Sequence, residues 1–286
     1  TMLAAWKENA TSAKVKYGHI RAWDTSKVTD MELLLTNAYD CTFNENIGGW
    51  DVSSVTTMRE MFNYASTFNQ DIGGWDVSKV ADMSDIFYRA YNFNQPIGGW
   101  DVSKVTDMRF AFNEATAFDQ PIGAWDVSQV TDMGRAFDEA TAFDQPIGDW
   151  DVSKLEDMSA AFMNAVSFNQ PIGGWDTSKV TDMGQAFSEA STFNQDIGAW
   201  DVSSVTEMVF AFKNAVSFDA DIGGWDVSSV KYMTGAFKGA TAFDQNINAW
   251  NTSSVTDVQM EDMFSDSGLQ SCPSWAVDKD AGGPCK

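Results

Sequence analysis

WDVSQVTDMGRAFDEATAFDQPIG, residues 125–148, is one turn of the pattern that decides the fold. With its Trp counted as position 1, the unit reads W-D-V-S-x-V-T-D-M-x-x-A-F-x-x-A-x-x-F-N-Q-P-I-G-G. Tryptophan recurs every 25 residues, at Trp50, Trp75, Trp100, Trp125, Trp150, Trp175, Trp200, Trp225 and Trp250, and Trp23 opens an earlier unit that is two residues longer. A fixed period of this kind marks a repeat architecture. One unit cannot bury its own apolar face, so neighbours must stack.

Apolar residues hold positions 1, 3, 6, 9, 12, 13, 16, 19 and 23. The segment I-G-G-W-D-V-S-S-V has the spacing of a leucine-rich-repeat strand. Its W-D-V centre has a period of two, which turns Trp and Val inward and Asp outward. The run V-T-D-M-x-x-A-F-x-x-A is spaced by threes and fours and predicts one or two helical turns. Ser at position 4 suits the N-cap or turn before it, and Asp at position 8 meets the helix dipole favourably. Pro at position 22 (Pro96, Pro121, Pro146, Pro171) cannot donate a ladder bond, so that stretch reads as a return loop. The predicted fold is a repeat solenoid of α/β class. It is a leucine-rich-repeat-like, right-handed coil stack with short parallel strands and short helical turns. At a strand spacing of about 4.8 Å, the stack makes a rod or shallow arc of roughly 45–50 Å.

A stacked core needs lids. Residues 1–22, with Met2, Leu3 and Trp6 at near-helical spacing, are expected to form an N-terminal helical cap. Residues 23–264 form the ten-coil solenoid and residues 265–286 a C-terminal cap. A Cys272–Cys285 disulfide would close that cap and contribute about 3 kcal/mol for so short a loop. Cys41 reads as a small buried residue in the irregular first unit. The chain opens on Thr1 with no signal peptide, which suits a mature or trimmed chain.

The 286 residues carry 41 Asp+Glu against 18 Lys+Arg, a formal charge of −23. With 44% apolar and 13% aromatic residues, that acidity does not mean disorder. It argues against nucleic acid, whose phosphates require a basic face, and against anionic membrane surfaces. Apolar runs such as Leu33, Leu34 and Leu35 fall far short of the roughly 20 residues that span a bilayer, so no membrane insertion is expected. His19 is the single histidine, and no nucleophile, base and orienting group can be named together. No catalytic residue is assigned.

Position 2 is the leading polar column: Asp24, Asp51, Asp76, Asp101, Asp126, Asp151, Asp176, Asp201 and Asp226, ending in Asn251. Carboxylates about 4.8 Å apart repel by roughly 0.9 kcal/mol in water, and each coil must offset this. Either Asp accepts bonds from the position-4 Ser and nearby N–H groups, as in an Asx-turn, or the column from Asp51 to Asp226 collects cations, Ca²⁺ above all. Position 20 is always Asn or Asp, from Asn44 and Asn69 to Asp244, which suits an inter-coil amide ladder. A ligand surface should lie where units differ while the scaffold stays fixed. The large side chains at such places are Tyr64, Tyr88, Tyr91, Phe110, Met163, Phe210 and Tyr232.

Two stretches carry a resemblance: FNQDIGGWDVSKVADM at 68–83 and FNQDIGAWDVSSVTEM at 193–208. With the opening YGHIRAWDTSKVTDM at 17–31, they resemble the BspA-like leucine-rich-repeat surface-protein family. The resemblance implies an extracellular or cell-surface location and a role in adhesion or binding, with a protein or surface glycan as partner. Two other roles stay open. One is a structural or assembly component that associates with itself. The other is a Ca²⁺ or mineral-surface binder through the Asp column. An ice-binding variant would use Thr at position 7, which Ala81, Glu156 and Lys231 interrupt.

Overall fold

The structure, a computed structural model, describes residues 5, 8–36 and 42–275. It is a stack of coils, numbered from coil 1 at Trp23 to coil 10 at Trp250. Identical rings superpose down the stack. Trp100 and Trp125 lie 6.5 Å apart with planes 1° from parallel, and Phe112 and Phe137 lie 5.5 Å apart at 8°. Phe at position 13 also packs on Phe at position 19 of its own coil, as in Phe87–Phe93 at 3.9 Å. From Trp75 to Trp250 each indole N–H donates to the isoleucine carbonyl 28 residues earlier: Trp100 Nε1 donates to Ile72 at 3.1 Å.

The predicted strands and helical turns are not what the repeats form. Among the described residues the regular elements are helix α1 (Ala10–Tyr17) and two short 3-10 turns, Ile20–Ala22 and Asp257–Met260, none of them within coils 2–9. Instead, position 8 makes a one-residue parallel bridge from coil to coil, running Asp30, Thr57, Asp82, Asp107 and on to Tyr232. From there the backbone alternates. The N–H groups at positions 9, 11, 13 and 15 donate to the next coil: Met83 to Asp107, Asp85 to Arg109, Phe87 to Ala111 and Arg89 to Asn113, at 2.8–3.1 Å. Those at positions 12, 14 and 16 fold back three residues within the coil, as in Ile86 to Met83 and Ala90 to Phe87.

That alternation explains why the three-and-four spacing misled. A helix needs consecutive right-handed residues, but positions 11 and 15 are left-handed in every interior coil. Asp85 has φ 55°, Arg89 φ 58°, Phe110 φ 55° and Glu139 φ 57°. Each such non-glycine residue costs about 1 kcal/mol. The cost is offset because the flip aims its N–H at the neighbouring coil. Coil 9 meets the same demand with Gly235 and Gly239, φ 58° and 72°. The apolar spacing of a short helix is thus produced by linked i→i+3 turns.

At the ends, α1 begins at Asn9, whose side chain accepts from the Ser12 N–H. Ala13 and Ile20 of this region are buried. Met2, Leu3, Trp6, Cys41 and Cys285, and with Cys285 the expected disulfide to Cys272, lie outside the described residues. The Trp column continues beyond residue 264. Trp275 stacks on Trp250 at 6.3 Å, and its indole donates to Ile247 at 3.0 Å. Trp275 stands one full period after Trp250, a rung hidden by the loosened pattern between them. No helix among the described residues is long and apolar enough to cross a membrane.

Candidate functional site

The polar columns resolve into seams. At position 2, Asp76 Oδ1 accepts from the Ser78 hydroxyl at 2.6 Å and from its N–H at 3.1 Å. The hydroxyl bond, then the backbone bond, holds the Asp76 carboxyl below its ordinary value, and the same causes act at Asp51, Asp101, Asp151, Asp176 and Asp226. Asp126 and Asp201 accept the corresponding Ser N–H at 3.0 Å. One oxygen of each carboxylate is therefore committed to its own Asx-turn. No three His, Cys, Asp or Glu side chains among the described residues converge as a metal site. Position 20 forms the expected ladder: Asn69 Oδ1 accepts from Asn94 N at 3.0 Å and Gln95 Nε2 at 2.8 Å. Where Asp119 stands there, it does the same for Asp144 and Gln145. Position 8 lies in the bridge ladder rather than in a helical turn. There burial, more than any neighbour, raises the carboxyls of Asp132, Asp182 and Glu207.

What the seams leave free is the face carrying positions 11 to 17, and on coils 2–5 it holds a cluster. Tyr64 meets Tyr88 edge-on at 5.3 Å, and Tyr88 meets Phe110 at 6.1 Å. The Arg89 guanidinium lies over both tyrosines, 4.9 Å from the Tyr64 ring and 5.1 Å from Tyr88. Arg89 also donates to Glu114 at 2.7 Å and to the Tyr64 hydroxyl at 2.8 Å, while the Tyr91 hydroxyl donates to Glu114 at 3.1 Å. The Glu114 bond is the main cause that raises the Arg89 pKa and keeps its charge. Burial pushes the Tyr88 phenol up to about 12, so it stays neutral. Arg135 covers Phe110 from the next coil at 5.9 Å. Tyr64 and Tyr91 remain 37% and 39% exposed, so the cluster is ordered yet open to solvent.

Of the aromatic and Met candidates read from the sequence, Tyr64, Tyr88, Tyr91 and Phe110 come together. Phe210 lies four coils away, with Lys213 5.5 Å from its ring. Tyr232 stands in the bridge ladder, opposite Glu207, rather than on this face. Met163, in coil 6, makes no part of the cluster. Sequence reading passed over Arg89, Glu114 and Arg135. A usable signal was present, since every arginine after Arg21 falls between residues 59 and 135. His19 is used locally, accepting from the Arg21 N–H at Nδ1 and lying 3.5 Å from Glu45.

Beside the cluster, Asp138 is 2% exposed, with one oxygen 2.8 Å from Arg135 and the other without a hydrogen-bond partner. Burial pushes its carboxyl up to about 6. The folded state therefore binds the proton more tightly than the unfolded state, and stability falls as pH climbs from about 4 through about 6. Asp138→Asn should stabilise the protein at neutral pH by about 1–3 kcal/mol, and the advantage should vanish near pH 4. Denaturant melts of both proteins at the two pH values check this. An equal difference at both would refute it.

No curated protein matches the chain. The family described as "Mycoplasma protein of unknown function, DUF285" matches it three times, over residues 2–110, 95–190 and 169–275. The matches overlap, as the uniform stack of coils would lead one to expect, and together they span both the seams and the aromatic cluster. The chain belongs to the DUF285 family of repeat proteins.

Proposed function

We propose that the protein is a non-enzymatic interaction module of the cell surface or extracellular space, whose seams hold a rigid scaffold and whose coils 2–5 carry the contact surface. The observation that carries this reading is the Tyr64–Tyr88–Phe110 cluster with Arg89 and Arg135. Tyr and Arg dominate the energetics of protein contacts when they are ordered and part-desolvated. Arg89 is already held in place by Glu114 and two rings, so little side-chain entropy is lost when a partner docks. Adhesion to a protein or surface glycan, the leucine-rich-repeat affinity and the relation to BspA-like surface proteins follow the resemblance of the repeat units. The Asx-turns at position 2 favour the structural role of that column over the cation-binding one.

The test is capture from the surface fraction of the source cells. Wild-type protein and a Tyr64→Ala/Arg89→Ala variant are immobilised side by side. The double variant should lose at least about tenfold in captured partner. Equal capture by both would move the contact surface elsewhere. Recovery of only the protein itself would favour the assembly role.

A further inference from the structure

Asn251 stands at position 2, where the nine preceding coils carry Asp24, Asp51, Asp76, Asp101, Asp126, Asp151, Asp176, Asp201 and Asp226. With Thr252 and Ser253 behind it, this one change completes an N-x-S acceptor sequence that contains no proline. The fold prepares the tripeptide. Asn251 is exposed, and its Oδ1 accepts the Ser253 N–H at 3.2 Å, in the turn that Asp76 makes with Ser78. The hydrogen bond withdraws electrons from the carbonyl and fixes the amide plane. Nδ2 and the Ser253 hydroxyl make no hydrogen bond within the described residues. A second acceptor sequence, Asn9-Ala10-Thr11, is placed differently: Asn9 Oδ1 caps α1 through Ser12, and Thr11 lies inside the helix.

We infer that Asn251 is an N-glycosylation site, accepting an oligosaccharide from a polyprenyl-diphosphate-linked donor. The inference rests on the proposed extracellular location, because such transfer takes place on the export route. Nδ2 attacks C1 of the first sugar and a C–N bond forms. The C1–O bond to the diphosphate breaks and the polyprenyl diphosphate leaves with the electron pair. One amide proton passes to a base of the transferase, and nothing is oxidised or reduced. Every other solenoid coil presents a carboxylate at position 2, which has no nitrogen to modify. The solenoid therefore carries one glycan, in its last coil, on a column separate from positions 11 to 17 and the aromatic cluster.

The protein is isolated from the surface fraction of its own cells and, in parallel, secreted from a eukaryotic host. Peptides spanning Asn251 are then mapped by mass spectrometry before and after enzymatic deglycosylation. The expected result is a glycopeptide at Asn251 that becomes Asp on deglycosylation, and a gel shift abolished in Asn251→Asp. That variant should melt like wild type, because nine coils already use Asp in the same turn. A bare Asn251 in both preparations overturns the inference while leaving the location standing. Absence of the protein from the surface fraction defeats the location and the glycan with it.

Discussion

Gly123→Ala should destabilise the protein by about 3 kcal/mol or more, while Gly99→Ala, one position later in its own coil, should change it by less than about 0.5 kcal/mol. Gly123 is position 24, and a Cβ there would stand 2.2 Å from the Pro146 carbonyl oxygen of the next coil. The obstructing atom is backbone and cannot rotate away. The coils cannot part either, since hydrogen bonds such as Phe112 to Ala136 at 2.8 Å and Glu114 to Asp138 at 2.7 Å pin the same junction. Relief requires breaking one set of contacts or the other. Gly99 is position 25, where an added methyl would meet nothing within 4 Å. The repeats already make the same distinction. Position 25 accepts Ala124, Asp149, Ala199 and Ala249, whereas position 24 is Gly from Gly48 to Gly223 and becomes Asn248 in coil 9. Paired thermal and denaturant melts followed by tryptophan fluorescence test the contrast. A Gly123→Ala protein within about 1 kcal/mol of wild type would mean that the junction can expand.

How much of this was legible in the sequence depends on what each residue was asked to reveal. The Trp and Phe columns were legible because burial is a matter of period, and a period of 25 repeated without error admits few packings. The Asn ladder was legible because position 20 never departs from Asn or Asp. The conformation between Met and the second Ala was not. Apolar spacing of three and four is common to a helix and to linked turns, and what separates them is the sign of φ at positions 11 and 15. Those positions hold Glu60, Asp85, Phe110, Arg135 and Ala160 in one column, a set whose chemistry gives no hint of a left-handed backbone. Gly235 and Gly239 were the only clue, and they occur in a single coil. The aromatic cluster was half legible. Tyr64, Tyr88 and Phe110 sit at three different positions of the repeat and meet only because the turns bring positions 11, 14 and 15 of successive coils to one place.

The division of labour follows. The bonds that recur down the stack use backbone groups and the fixed side chains of positions 1, 2, 4, 8, 20 and 21, whereas side-chain bonds between coils at other positions, such as Arg89 to Glu114, belong to single junctions. The remaining outward positions are released from structural duty, which lets their chemistry vary without disturbing the stack. Most of the acidity belongs to the seams and is local. The arginines beyond Arg21 all fall in coils 2–5, set among these acids.

Phe137→Ala should cost about 4 kcal/mol and uncouple the two halves of the array, whereas Phe264→Ala should cost about half as much and fray only the last coil. Phe137 is fully buried, with ring centroids 5.5 Å from both Phe112 and Phe162 and 4.3 Å from Phe143. Removing it opens a void that borders coils 4, 5 and 6 at once. The ladder bonds hold the coils at fixed spacing, so collapse into that void is restricted and most of the cavity penalty remains. A solenoid transmits stability only through neighbouring interfaces, so weakening two central ones uncouples the halves of the array. Phe264 touches Phe237 at 5.7 Å and Trp275 at 6.2 Å and has one full coil on one side only. Hydrogen exchange distinguishes the two cases. Phe137→Ala should raise exchange in coils 4–6 and broaden the denaturant transition, while Phe264→Ala should raise it beyond residue 250 alone. Equal costs for the two substitutions, with unchanged cooperativity, would mean that the coils are stabilised one by one rather than through the continuous phenylalanine column.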